Sequence, residues 1–208
     1  MTELLDIYDE NGNHLGIKER RAVHLDGDWH RVFHCWVVYR DQDGVGHVVA
    51  QKRSSLKDTA PNLIYVTAAG HYLAGETIKD GIREIEEELG IGASFDDLIS
   101  VGRRVDIARH GQLIDHEISD VFLLVHNRPI QEYKLQVEEV AGIVSFRVDE
   151  GIELFAGERS TLTAEAVGLG RPRIELQPSD FVPRVDAYVY KILLLVRRYF
   201  LGDRQLLI

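Results

Sequence analysis

The chain is poor in cysteine, methionine, tryptophan and proline, with one Cys, one Met, two Trp and five Pro among its 208 residues. A lone cysteine, Cys35, excludes an internal disulfide and fits a reducing compartment. Beside Trp36 in an expected strand, it reads as a small buried hydrophobe. Positive charge is also scarce: 24 Lys and Arg stand against 34 Asp and Glu, for a formal net charge of −10. That balance argues against general nucleic-acid or anionic-membrane binding, while leaving room for a local basic pocket that takes a phosphate. Long apolar runs are missing. The longest near the end, Ile192 to Val196, is far short of the roughly 20 residues a membrane span needs. The opening Met1-Thr2-Glu3-Leu4-Leu5-Asp6 has neither a basic region nor an apolar core, so no signal peptide is expected and the cytoplasm is the expected location. Low-complexity linkers and internal repeats are absent. A single domain over 1–208 is expected, with a core at about 30–160, N-terminal strands within 1–29 and a helical extension at 178–208.

What is present is a run of short strands with turn punctuation. Leu5–Tyr8 and Leu15–Val23 flank Asp9-Glu10-Asn11-Gly12-Asn13, and Val32–Tyr39 and His47–Lys52 flank Asp41-Gln42-Asp43-Gly44. Leu98–Ala108 and Glu117–His126 flank a turn near His110-Gly111-Gln112, and Ile143–Val148 reads as a further strand. Helices are expected at 77–89, around 149–155, around 161–167 and from about 181 to 201. In the last, Pro183 falls in the first turn, and Val185, Tyr188, Val189, Ile192, Leu193, Val196 and Phe200 form a broad apolar face suited to covering a sheet. The pattern is α/β: a mixed sheet with helices packed on it.

The most informative segment is Gly70-His71-Tyr72-Leu73-Ala74-Gly75-Glu76, continuing to Arg83-Glu84-Ile85-Glu86-Glu87-Glu88-Leu89-Gly90-Ile91. Six acidic residues lie between Glu76 and Glu88, against Lys79 and Arg83. On a helix over 77–89, Ile78, Ile82, Ile85 and Leu89 make an apolar stripe, while Glu84, Glu87 and Glu88 share another face. Like charges so placed repel by roughly 0.2–0.5 kcal/mol per pair. A divalent cation removes that cost, and hard oxygen ligands suit Mg²⁺, which also takes phosphate oxygens. Thr77 with Asp80 supplies a capping-box-like start, Gly90 a left-handed stop, and Gly81 a close packing point against the sheet.

This segment resembles the Nudix box: Gly, five residues, Glu, seven residues, Arg-Glu, an aliphatic, any residue, Glu-Glu, any residue, Gly, an aliphatic. The chain departs once, since six residues, Thr77 to Ile82, separate Glu76 from Arg83. The resemblance implies an α/β/α sandwich and a Mg²⁺-dependent (Mn²⁺ as the alternative ion) hydrolase of diphosphate bonds. It implies metal ligands among Glu84, Glu87, Glu88, Glu76 and the Gly70 carbonyl, with Arg83 fixing a carboxylate. Residues 3–125 also resemble the isopentenyl-diphosphate isomerase branch of that superfamily, through Asp9 to Asn13 with Leu15-Gly16, His24, His30, Gln51 to Lys57, Pro61, Ala69-Gly70-His71 and Asp115-His116-Glu117. Isomerases use their equivalents of His24, His30, His71, Asp115 and Glu117 around a metal, and of Arg53 and Lys57 to hold a diphosphate. Their reactive cysteine falls at Ala69, which can neither donate nor accept a proton. The chain therefore looks like an isomerase-shaped scaffold carrying hydrolase ligands. Glu117 is the first choice of general base, with Glu138 and Glu139 as alternatives, and His71 borders the site. The expected partner is a small-molecule diphosphate, with no nucleic acid and no membrane; a homodimer stays open. Prenyl-diphosphate isomerisation and diphosphate sensing without turnover are the competing readings.

Overall fold

In a computed structural model, the described residues are 3–208; Met1 and Thr2, taken in by the expected N-terminal strands, lie outside them. The elements run β1 (Leu4–Tyr8), β2 (His14–Glu19), α1 (Arg20–Asp26), β3 (Trp29–Arg40), β4 (Gly46–Arg53), β5 (Ile64–Tyr65), β6 (Ala68–His71), α2 (Arg83–Leu89), β7 (Leu98–His110) and β8 (Leu113–Val125). They continue with β9 (Val140–Arg147), α3 (Val148–Phe155), β10 (Leu162–Val167), β11 (Arg173–Leu176) and α4 (Tyr188–Phe200).

The sheet is mixed. β3 runs parallel to β8 from Trp29 to Val38, and the other ladders are antiparallel. Alternation on β3 sorts its side chains between two cores. Phe33, Cys35 and Val37 face Tyr72 and α2, through Ile85 and Leu89. Trp36 and Val38 face α3 and α4, through Ile152, Ile192, Leu193 and Val196. The expected sandwich, with the C-terminal helix packed on the sheet, is what forms.

One irregularity makes the site. β3 and β4 pair only between Val38–Arg40 and Gly46–Val48, then diverge. β6 fills the gap against β3, and β5 against β4. Thr67, between them, pins the fork: its hydroxyl donates to the Val49 carbonyl and accepts the Val37 N–H at 2.9 Å.

Several expected elements are corrected. The helix at 77–89 begins only at Arg83, after a 3₁₀ turn over Asp80–Ile82. Asp80 Oδ2 takes both the backbone N–H and the hydroxyl of Thr77, at 2.7 and 2.6 Å, and so closes a turn ahead of the helix. Gly81 is the expected packing point: a Cβ there would stand 2.6 Å from Phe33 and 2.7 Å from Tyr72. Gly90 caps α2 at φ 65°. The strand expected over Leu15–Val23 stops at Glu19, and Arg20–Asp26 is helical, ended by left-handed Gly27. The helix expected around 161–167 is strand β10, because Leu162, Ala164 and Ala166 are buried in alternation and extend the sheet beside β9. The last helix starts at Tyr188, not near 181. Phe181 and Val182 are extended and buried, and the Val182 N–H donates to the Ile64 carbonyl at 2.9 Å. A residue before proline avoids the helical region, which keeps Val182 out of a helix, and Ala187, left-handed at φ 54°, stands at the start of α4. Val185 is fully exposed and contributes nothing to the apolar face.

Candidate active site

The fork opens into a cavity of about 960 Å³, walled by α1, β3, β5, β6, α2, β8 and the segment before α4. Its α2 side follows from small residues. Ala68, Ala69 and Gly70 bring β6 close enough that a Cβ on Gly70 would collide with the Glu84 carboxyl. Glu88 Oε2 accepts the Ala69 N–H and the Gln51 side-chain amide, each at 3.1 Å. Both acids are more than nine-tenths buried. Burial, then the neighbouring Glu84 charge, pushes Glu88 up to about 8. Burial pushes Glu84 up to about 7, against the opposing pull of Arg83. Such groups resist ionising until a cation arrives.

Arg83 does what the sequence suggests and holds carboxylates. It meets Glu76 at 3.0 Å, Glu84 at 2.6 Å and Glu87 at 3.2 Å, and donates to the His71 carbonyl at 2.9 Å. Glu76 thereby departs from the expected ligand set. Both its oxygens lie on Arg83, one also accepts the Leu73 N–H at 2.7 Å, and it is not in the cavity wall. Glu87 lines the rim with its side chain half exposed. Glu84, Glu87 and Glu88 do not share one focus: among the described residues, the one group of three such donors that does is His24, His30 and His71, with ligand atoms all within 4.8 Å of one another.

That histidine group is built for a soft or borderline cation. His24 Nδ1 lies 2.6 Å from the Arg20 carbonyl and His30 Nδ1 lies 3.0 Å from the Asp28 carbonyl. Each Nδ1 therefore carries a proton, and His24 Nε2 lies 3.4 Å from Asp115 Oδ1. Burial lowers His30 to about 4 and holds His71 well below the usual range, so both are neutral. His30 Nε2, His71 Nε2, Asp115 Oδ1 and Glu117 Oε2 are buried without hydrogen-bond partners; the first three are donors that a cation would satisfy. Burial, then the Asp115 charge, raises Glu117 to about 7.

The basic side is also in the wall. Arg53 donates through Nε and Nη2 to the Thr59 carbonyl at 3.0 and 2.9 Å, and Lys57 pairs with Glu139. Glu139 lines the cavity, whereas Glu138 is exposed outside it. Sequence reasoning missed the far wall: His34, Tyr65, Val182 and Arg184. His30 and His34 on one face of an apolar strand were the available signal for half of it. Nothing local marks Arg184, which arrives from 119 residues beyond Tyr65.

Comparison with known proteins gives the family and the fold. Residues 28–164 match a family model described as NUDIX domain. The chain is similar to an uncharacterised Nudix hydrolase of Clostridium acetobutylicum, 39% identical over 198 residues, which is 92% of this chain and 95% of that protein. It is similar to an isopentenyl-diphosphate Delta-isomerase of Photobacterium profundum, 32% identical over 124 residues, 58% of this chain and 67% of the isomerase. A solved MutT/nudix family protein from Enterococcus faecalis shares the fold with a TM-score of 0.57 at 13% identity, covering 85% of this chain and 65% of that one. A Deinococcus radiodurans structure gives 0.53 at 22% identity, covering 74% and 90%.

Proposed function

The chain belongs to the Nudix family, and from that premise we propose that it hydrolyses the phosphoric anhydride of an organic diphosphate with the help of Mg²⁺ or Mn²⁺. The observation that carries this reading is the pair Glu84 and Glu88, two buried acids held nearly neutral in the wall of the same cavity as Arg53 and Lys57. Glu84 and Glu88, with Glu87 from the rim and the Gly70 carbonyl, are the residues that would hold the ion. Glu76 serves through Arg83 instead, fixing the guanidinium that orients Glu84. A bound divalent ion supplies charge neutralisation of the diphosphate and a more acidic water.

The protein groups do the rest. Arg53 and Lys57 hold non-bridging phosphate oxygens, and Lys57 exchanges its partner Glu139 for substrate. Glu117 Oε2, unpartnered and with a carboxyl near neutrality, takes the proton from the attacking water. His24, His30 and His71, with Asp115, would hold a second ion beside it. His71 borders both places, through its ring in one and its carbonyl on Arg83 in the other.

The histidine group with Asp115 and Glu117 favours a second reading, isomerisation of a prenyl diphosphate. Ala69 opposes it, because the side chain beside Gly70 has no proton to give or take. The test is a product-resolved screen with Mg²⁺ across nucleotide sugars, dinucleotides, coenzymes and nucleoside di- and triphosphates, reading the phosphomonoesters, pyrophosphate or phosphate that anhydride hydrolysis yields, with product analysis on isopentenyl diphosphate in parallel. Product formation that falls by a large factor in Glu87→Gln, in a protein that still folds, supports the hydrolase. A rearranged prenyl product without phosphate release transfers the assignment to the second reading.

A further inference from the structure

Four side chains form a line through the core behind the cavity. Trp36 Nε1 lies 3.1 Å from the Tyr188 hydroxyl, which lies 3.0 Å from His34 Nδ1, while His34 Nε2 lies 3.2 Å from the Tyr65 hydroxyl. Elimination fixes the direction of every bond. The indole N–H can only donate, so the Tyr188 oxygen accepts. Tyr188 is 1% exposed, and its own proton needs an acceptor inside the core. His34 Nδ1 is that acceptor. His34 is buried and held neutral by desolvation, so its single proton sits on Nε2 and is donated to Tyr65. Arg184 Nη2 donates to the same Tyr65 oxygen at 3.3 Å. Two donors now occupy the Tyr65 lone pairs. Its O–H proton has no acceptor among the hydrogen bonds of the described residues, and Tyr65 stands in the cavity wall with His34, Arg53 and Arg184.

The surroundings say what such a donor would meet. The guanidinium carbons of Arg53 and Arg184 lie 5.3 and 5.4 Å from the centre of the Tyr65 ring, and that of Arg104 lies 4.4 Å from the centre of the Tyr188 ring. Asp106 serves both Arg104, at 2.7 Å, and Arg184, at 2.9 Å, and Asp186 serves Arg104 at 2.8 Å. Glu117 also faces Arg184, with its charge weakened by burial. Three cations therefore face two full carboxylates and one partial one. An O–H donor beside a guanidinium suits a carboxylate or phosphate oxygen.

We propose that the Tyr65 hydroxyl, with Arg184 beside it, is a specificity-determining donor that receives an anionic oxygen of the substrate outside the anhydride held at Glu84 and Glu88. The substrate class is then an organic diphosphate bearing a further carboxylate or phosphate. The inference rests on the hydrolase reading for its substrate, and on hydrogen-bond polarity for its site.

The test reads the side-chain ¹⁵N resonances of His34 in the full chain saturated with Mg²⁺ and methylenediphosphonate. In the absence of other anions, His34 should be protonated at Nε2, and Tyr188→Phe should lose that tautomer preference. Acetate and inorganic phosphate are then titrated, with chloride as control. Saturable movement of Nε2 by one of them, weakened about tenfold in Tyr65→Phe and in Arg184→Gln, is the expected result, since one hydrogen bond to a charged group is removed. The anion that binds more tightly tells carboxylate from phosphate. An Nδ1-protonated His34, no saturable response, or equal affinity in a folded Tyr65→Phe chain overturns the proposal. Failure of the hydrolase reading would show separately, as no hydrolysis product from any diphosphate and no effect of methylenediphosphonate.

Discussion

Replacing Glu88 by Gln should make the metal-free protein more stable and the metal-loaded protein inactive. Glu88 titrates at 4.5 when the chain is unfolded and at about 8 in the folded chain. Its folded value is raised, so the folded state binds the extra proton and stability falls as pH climbs from 4.5 toward 8. At about 1.4 kcal/mol per tenfold, the full cost above pH 8 is at most about 5 kcal/mol. Relaxation and entering water remove about half of such a figure in a real interior, leaving about 2–3 kcal/mol. The glutamine oxygen can still accept from Gln51 and Ala69, the two donors that Glu88 Oε2 serves at 3.1 Å. In EDTA at pH 8.5, the variant should therefore melt about 5–10 °C above the natural chain, and the two should converge near pH 5. Adding Mg²⁺ at a thousand times its dissociation constant should reverse the order: the natural chain gains about 4.1 kcal/mol, and the variant gains little. Scanning calorimetry at the two pH values, with and without Mg²⁺, reads all four states. A variant that is less stable in EDTA at pH 8.5, or equally stabilised by Mg²⁺, refutes the claim that a buried, uncompensated acid waits here for a cation.

Other outcomes can be checked with less material. Gly70→Ala should abolish phosphate release by displacing the Glu84 carboxyl, and should cost about 1–3 kcal/mol from overpacking. A double-mutant cycle with Glu84→Ala should recover most of that loss, and strict additivity would show that the two do not touch. His30 is held at about 4 in the fold, against 6.5 unfolded. The unfolded state binds the proton first, so stability should drop by up to about 3 kcal/mol between pH 6.5 and pH 4. A chemical-denaturation series should show that slope flattened in His30→Gln. Ile192→Ala in α4 should cost about 2–5 kcal/mol, since the side chain is wholly buried against the sheet; a loss under 1 kcal/mol by urea titration would detach α4 from the core.

The parts of this fold legible in the sequence are those whose signals are local. The apolar stripe ending at Ile85 and Leu89, the left-handed stop at Gly90 and the tight contact at Gly81 follow from neighbours a few residues away. Glu84 and Glu88 follow from one helix face, whereas Arg53, Lys57, His71 and Glu117 come from the family resemblance; all six line the cavity. Errors arose where tertiary partners outweighed local preference. Thr163-Ala164-Glu165-Ala166 suits a helix by composition, yet β9 offers it a sheet edge. Phe181 and Val182 fall in an apolar run suited to helix, but the Ile64 carbonyl and the following proline keep them extended. Glu76 keeps its spacing from Gly70, and its carboxylate lies on Arg83 outside the cavity wall. The wall containing Tyr65, His34 and Arg184 depends on contacts across 31 and 119 residues, and no window along the chain contains it.

The solitary thiol has a practical use by virtue of its silence. Cys35 is wholly buried and burial drives its pKa upward, so alkylating reagents will pass it by in the folded state. A cysteine introduced at Val185, whose side chain stands clear of the surface, would be the one reactive handle on the molecule. A fluorophore attached there would sit one residue from Arg184, where it could report in real time when an anion enters the chamber.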